Sequence, residues 1–315
     1  MVATTSYQAG VESSLAQIGY IQETAWGVLP ATPQLKGIRY TGESLSGSKT
    51  RQRPNEIRQD RQASAAVTTD ESAFGGINFA LSYGTFDDIL SGVLGGEWTA
   101  DILKPGSIFK SFLLEKRFSP SLFLRYPGGF FTSASLTMAR GQFLGGSFNL
   151  LAKEEADFTA TASTAAYTAA PNGTVMDPVS GVQDVTLDGN PIATGCNAIT
   201  LNITNDGAAA DFALGSAAAQ GMRMGTLTVG GTAEFYFRDF TLYQRFKSET
   251  AGALSWKTVD ANGDAYRFTV PQCVLTNPGI TAGGINQPVM CRVTLEGNPD
   301  PTDGSVMIER IPAGP

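Results

Sequence analysis

The chain has 315 residues, 42% of them hydrophobic and only 16% charged, with a net charge of -7 and an isoelectric point near 4.8. That balance supplies core for about two domains and excludes a protein that wraps nucleic acid through a basic surface. Histidine is absent, which removes Ser-His-Asp triads, imidazole general bases and His-containing metal sites together.

Residues 15–26 alternate loosely and predict a first strand. A turn-rich loop over 27–33 follows, where Pro30 and Pro33 favour an extended path. Residues 38–45 predict a short strand. Residues 46–72 differ: Lys49, Arg51, Arg53, Arg58 and Arg61 crowd into thirteen residues, 49–61, opposed there only by Glu56 and Asp60. With no repeating apolar face, this stretch predicts a long basic loop, either docked on the acidic surface of a neighbouring copy or a solvated surface loop.

From Phe74 to Tyr83 the residues alternate, with Ile77, Phe79, Leu81 and Tyr83 on one face. Thr85 is the expected cap of a helix carrying Asp87 and Asp88 in its first turn. Phe86, Ile89, Leu90, Val93 and Leu94 form its apolar stripe, and Gly95-Gly96 stops it. Strands are expected at 107–118, 123–126, 130–138 and 146–151. Between 156 and 181 the composition shifts to Ala, Thr and Ser, which marks a linker.

The second half passes through similar stages. A hairpin is expected at 183–187 and 198–204, a short helix at 239–247, strands at 256–259, 265–270 and 289–295, and an added strand or arm at 305–311. Gly75-Gly76 and Gly145-Gly146 are matched with Gly230-Gly231 and Gly283-Gly284 as marks of an internal duplication. The expected organisation is a first domain at 1–155, a linker at 156–181 and a second domain at 182–315.

No cofactor or metal is expected. Cys196, Cys273 and Cys291 lack metal-ligand spacing and are read as buried free thiols in a reducing compartment. Adjacent helical positions point ~100° apart, so Asp87 and Asp88 serve the helix start and do not converge on a reacting atom; Glu154-Glu155 is the other adjacent acidic pair. The run Asp300-Pro-Thr-Asp-Gly304 lacks the alternating ligands of a calcium loop and reads as a turn. Asn172 and Asn202 match the glycosylation pattern by chance. The first residues carry no secretory leader, and no apolar run approaches ~18 residues, so no membrane span is expected.

The stretch Tyr20-Ile-Gln-Glu-Thr-Ala-Trp-Gly-Val-Leu-Pro-Ala-Thr-Pro33 resembles the opening of the tail tube (major tail) proteins of long-tailed, non-contractile, siphovirus-like bacteriophages. Ile38-Arg-Tyr-Thr-Gly-Glu-Ser-Leu45, Glu56-Ile-Arg-Gln-Asp-Arg-Gln62 and Gly75-Gly-Ile-Asn-Phe-Ala-Leu-Ser-Tyr-Gly-Thr-Phe-Asp-Asp-Ile-Leu90 strengthen the resemblance. It is specific over the first third of the chain. It implies a mainly β chain of two tandem β-sandwich or barrel domains, each flanked by one short α-helix. It also implies a non-enzymatic virion protein, made in the host cytoplasm, whose rings stack into a tube for DNA ejection.

The partners so implied are other copies, a tape measure protein, and tail terminator and tip proteins, with DNA passing without specific binding. The apparent repeat favours a homotrimeric pseudo-sixfold ring over a homohexamer. The long loop would touch the next ring through Lys49, Arg51, Arg53, Glu56, Arg58, Asp60 and Arg61, with Asp70 and Glu71 as further balance. An acidic lumen would repel DNA phosphates.

Two other readings compete. One is a carbohydrate-binding or adhesin-like β module of a phage tail tip or cell surface. The other is a glycosidase with two acids ~5 to 9.5 Å apart.

Overall fold

The computed structural model describes residues 10–314 apart from 165, 180 and 193. The opening residues read for a leader thus lie largely outside the described residues. The first half contains β1 (Gln17–Gln22), β2 (Lys36–Gly37), β3 (Gly42–Glu43), β4 (Ser46–Gln52), β5 (Val67–Ala80), α1 (Asp87–Leu94), β6 (Ile102–Leu103), β7 (Phe112–Ser119), β8 (Leu122–Ala139), β9 (Gly145–Ala152) and β10 (Ala156–Thr159). The second contains β11 (Val182–Leu187), β12 (Asn190–Pro191), β13 (Cys196–Asp206), β14 (Ala209–Asp211), β15 (Gly221–Arg223), β16 (Thr226–Tyr236), α2 (Thr241–Lys247), β17 (Gly252–Val259), β18 (Ala265–Ala282), β19 (Val289–Asn298) and β20 (Met307–Ile311).

The long strands β8 and β18 organise both halves. The N-terminal part of β8 pairs with β7 and β10, and its C-terminal part with β9. Likewise β18 pairs first with β17 and β20, then with β19. A bulge sits in each strand where it joins the next layer, between Phe131 and Ser133 and between Thr276 and Gly279. Bulges bend a strand, so one strand can serve two layers. Each half thereby folds over itself, with β1 and β11 extending the layers that begin at β7 and β17.

The same antiparallel order runs twice. It is β4–β5–β9–β8 in the first half and β13–β16–β19–β18 in the second. Strand β13 also pairs with the C-terminal part of β8, placing Leu201 opposite Leu136, so the two four-strand sets make one continuous sheet. On its packed face lie Ile77, Phe79, Phe148, Leu136, Leu201, Phe235, Val293 and Leu295, all buried. Phe79 stacks on Phe148 with centroids 4.4 Å apart, and Trp256 on Phe268 at 5.8 Å. One apolar core runs through both halves.

Registers refine the glycine matches. Gly75 lies opposite Leu150 with φ +155°, and Gly231 opposite Leu295 with φ +157°. The equivalent of Gly75 is therefore Gly231, one place later than the paired dipeptides imply. The second match fails. Gly145 and Gly146 open β9 opposite Ala80 and Phe79, whereas Met290 and Cys291 hold those places opposite Tyr236 and Phe235. Gly283-Gly284 lies beyond the end of β18.

Other expectations shift. Residues 46–72 form most of a β-hairpin, because β5 begins at Val67 and leaves only 53–66 as loop; its polar strands lack the alternation that marks a half-buried strand. The N-cap of α1 is Phe86, without a side-chain cap, and the Thr85 hydroxyl instead meets Ser82 at 2.7 Å. Gly95 ends α1 in the left-handed conformation, as its sequence suggests. The two strands expected at 123–126 and 130–138 are the single β8.

The segment 156–181 is laid against the first half. Thr168 exchanges backbone bonds with Leu35 and Gly37, Arg39 Nη1 donates to the Gly173 carbonyl at 2.6 Å, and Met176 is fully buried. Buried Glu115 accepts from the backbone and hydroxyl of Ser163, from Tyr167 Oη at 3.1 Å and from Arg125 at 2.7 Å. A fully buried carboxylate held by that many donors fixes the segment in place.

Candidate functional site

The acids that the sequence singles out at the helix start and in the 300–304 run have structural partners. Asp87 and Asp88 point to different partners: Asp87 to Tyr266 and Arg310, Asp88 to Tyr20 and Lys36. Burial and then the Asp87 charge push the Tyr266 hydroxyl well above its ordinary pKa, so it stays a donor to that carboxylate. Asp300 accepts from the backbone N–H groups of Thr302 and Asp303, which hold its carboxyl below the usual range and make the run a capped turn. Among the described residues, no group of three or more Cys, Asp or Glu side chains could hold a metal ion, and no helix is long and apolar enough to cross a membrane. Cys273 and Cys291 are buried, and burial pushes the Cys273 thiol up to about 12.

Three surfaces among the described residues bear on the sheet and its edges. The first is the hairpin of β4 and β5. Lys49 pairs with Glu71 at 2.8 Å across the hairpin. Arg51 donates to the Ala66 carbonyl at 2.7 Å and Arg53 to that of Ser64 at 2.6 Å, so both brace the loop from within. Glu56 accepts from the Ser64 hydroxyl, and Arg58 grips Asp60 with two bonds of 3.1 and 2.8 Å. Arg61 is left-handed at φ 59°, a turn that re-aims the exposed tip. The basic residues thus hold an ordered projection whose tip, around a fully exposed Ile57, faces solvent.

The second surface is the pair of strand edges that end the continuous sheet. One is β4. Ser44 donates to the Gly76 carbonyl, so by alternation Leu45 and Gly47 turn their N–H and C=O groups outward. Side chains of the same half cap those groups. Leu45 N–H donates to Glu43 and Gly47 N–H to Glu155, while the Leu45 carbonyl accepts from Lys116 at 2.5 Å and Tyr126 at 3.3 Å. The places of Lys116 and Tyr126 in the second half are held by Trp256 and Val270, and there β13 pairs directly with β8. Capping is a recognised way to protect an open edge. The other edge is the C-terminal part of β18, where Ile280 is 37% exposed.

The third surface is the open face of the continuous sheet. Cross-strand partners there are Ser133 with Asn149, Ser135 with Ser147, Thr200 with Thr137 and with Thr232, Asn202 with Ser135, Thr204 with Thr228, and Thr232 with Thr294. Ser135 Oγ meets Asn202 Oδ1 at 2.8 Å, and Asn149 donates to Ser133 at 2.9 Å. The charges on this lattice are Asp206, opposite Thr226, Glu234, opposite Arg292, and Glu296, opposite Gly230.

A family model described as phage tail tube protein matches residues 13–299, which takes in both repeats of the strand order and the hairpin between β4 and β5. The chain belongs to the phage tail tube protein family. A search of curated proteins returns no match. As a tail tube protein it is a structural component of the virion tail and assembles with itself into a tube. The mainly β architecture, built around one large antiparallel sheet, accords with that family.

Sequence reasoning located the basic stretch but read it as a loop, and it missed the capped edge of β4 and the hydroxyl lattice. The second was legible in principle. Ser133, Ser135 and Thr137, then Thr200, Asn202 and Thr204, alternate with apolar residues in a strand period.

Proposed function

We propose that three copies of this tail tube protein close into a ring, that rings stack, and that the resulting tube delivers DNA to the host. The division into two tube domains, 1–155 and 182–315, belongs to this reading. The observation that carries it is the junction of β8 with β13. It joins two sheets of the same strand order, and its two edges have open equivalents at the ends of the chain. Leu136 and Leu201 correspond by register to Ile280 and Leu45. Repeating the junction between copies lays residues 277–283 of one copy against 42–48 of the next, Ile280 opposite Leu45. The side-chain caps on β4 are exchanged for a strand, and ring closure leaves no edge exposed.

With the layers and helices packed on one face of the sheet, the bulk of each copy lies outside and the hydroxyl lattice lines the bore. Asp206, Glu234 and Glu296 outnumber Arg292 on that lining, which agrees with the expected acidic lumen. DNA passes over hydrated hydroxyls and a few acids, with no row of cations for its phosphates. Tape measure, terminator and tip proteins complete the assembly. An end-on averaged image of one ring tests the subunit count: threefold symmetry with alternating lobes is expected, and six identical lobes would establish a hexamer instead.

The hairpin residues Lys49, Arg51, Arg53, Glu56, Arg58, Asp60 and Arg61 are assigned to contact between rings. Replacing Arg51, Arg53 and Arg58 together by Glu unpins the loop and reverses its charge. The subunit is expected to keep its melting temperature while tubes shorten or fail to grow, as measured by negative-stain length distributions. Tubes of unchanged length would remove the hairpin from the inter-ring contact.

A further inference from the structure

The two helices occupy the same place in the strand order but differ in cover. Every residue of α1 from Ile89 to Leu94 is buried, whereas α2 buries none. The second half supplies much of the cover on α1. Tyr266 of β18 and Arg310 of β20 bond Asp87, the Arg310 guanidinium lies 4.4 Å from the Trp98 ring centroid, and Asn205 donates to the Val93 carbonyl at 2.9 Å. Above α2 nothing comparable lies among the described residues. Phe237, Phe240, Tyr243 and Phe246 run along it with successive centroids 5.3, 6.0 and 5.9 Å apart, and Phe240 is 58% exposed. A cavity of about 270 Å3 opens beside them, lined in part by Ile192, Tyr236, Phe237 and Leu242.

The first half carries the counterpart of what covers α1. Leu122 precedes Pro127 as Tyr266 precedes Pro271, in strands of matching register, and β10 runs beside β8 as β20 runs beside β18. On these elements Leu122 is 48% and Phe158 82% exposed. The chemistry changes on both sides together. Within the chain, an acidic helix start meets an arginine and a tyrosine hydroxyl. At the open ends, an aromatic helix and a groove of mixed lining, with Ile192, Phe237 and Leu242 at its apolar side, stand where leucine and phenylalanine would meet them. Correlated apolar surface on two partners is the mark of an interface core.

We propose that the aromatic face of α2 is a docking site for a second copy of this chain, whose Leu122 and Phe158 cover Phe240, Tyr243 and the adjoining cavity. The site rests on the ring reading above and continues the β18-to-β4 junction: the half that lends β4 also lends β8 and β10, as the second half lends β13, β18 and β20 to α1. It gives the ring an apolar contact outside the sheet.

A charge-swap experiment tests it. Phe158→Lys and Phe240→Glu are made singly and together, with thermal melting of each subunit as the folding control. The reversed pair, Phe158→Glu with Phe240→Lys, stands in should Phe240→Glu melt early. With the unsubstituted protein forming tubes, each single variant is expected to lower ring yield by about tenfold or more, and the double variant to recover most of it. Normal yield from the single variants overturns the α2 site while leaving the ring intact, as does loss without rescue. Absence of rings from the unsubstituted protein overturns the ring reading itself, and the site with it.

Discussion

Gly231→Ala is expected to destabilise the subunit by about 3 kcal/mol or more, while Gly230→Ala costs less than half as much. At Gly231 the backbone has φ +157°, and an added Cβ would lie 1.9 Å from the Thr200 carbonyl oxygen. That oxygen belongs to the neighbouring strand in the middle of the sheet, so neither strand can retreat without breaking its ladder on the far side. At Gly230 the nearest atom to an added Cβ is the Leu295 oxygen, 3.1 Å away, which a small shift accommodates.

In the first half the order inverts. Gly75→Ala, at φ +155° with Ser44 O 2.5 Å away, should be the costly change, and Gly76→Ala, 3.2 Å from the end of the Asn149 side chain, the mild one. Urea unfolding midpoints of the four variants measure this directly. Equal losses at Gly230 and Gly231 would mean that the register equivalence of Gly75 with Gly231 is wrong.

Ile280→Pro is expected to leave a folded subunit that does not close rings. By equivalence with Leu136, which faces β13, Ile280 turns its N–H away from β19. Proline is tolerated on such an edge, and Pro278 already stands close by. What it removes is a donor needed by the incoming β4, together with an apolar side chain opposite Leu45. Leu136→Pro is the matched comparison: the same edge position is already paired within the chain, so that variant should fail to fold. Melting curves and negative-stain images of both separate the outcomes. Tubes from Ile280→Pro at ordinary yield would show that this edge stays open in the assembly.

The legible parts of the chain were those governed by neighbours in sequence. Ile77 and Phe79 alternate, Ile89, Leu90, Val93 and Leu94 recur at helical spacing, and Gly95 supplies the left-handed stop; each feature appears in the structure where its local pattern puts it. The cap on α1 was misplaced because the Thr85 hydroxyl had a partner, Ser82, that competes with the helix end. Strand β8 looked like two strands because Pro127, Gly128 and Gly129 interrupt its middle, although Pro127 sits where two layers part and does not end the strand. The glycine pairs signalled repetition correctly in kind, yet only cross-strand partners separate Gly75 and Gly231 from the glycines beside them.

By itself the sequence determined a mainly β chain, an acidic one without histidine, with a basic stretch before Gly75 and a likeness to tail tube proteins. Those properties follow from composition, short-range period and local motif. Tertiary structure decided the rest. It joined β8 to β13, capped β4 with Lys116 and Glu155, and covered α1 while leaving α2 bare. Each of these depends on groups far apart in sequence meeting in one register. A register shift of one residue turns every side chain of a strand to the other face, and no local pattern carries that information across the chain.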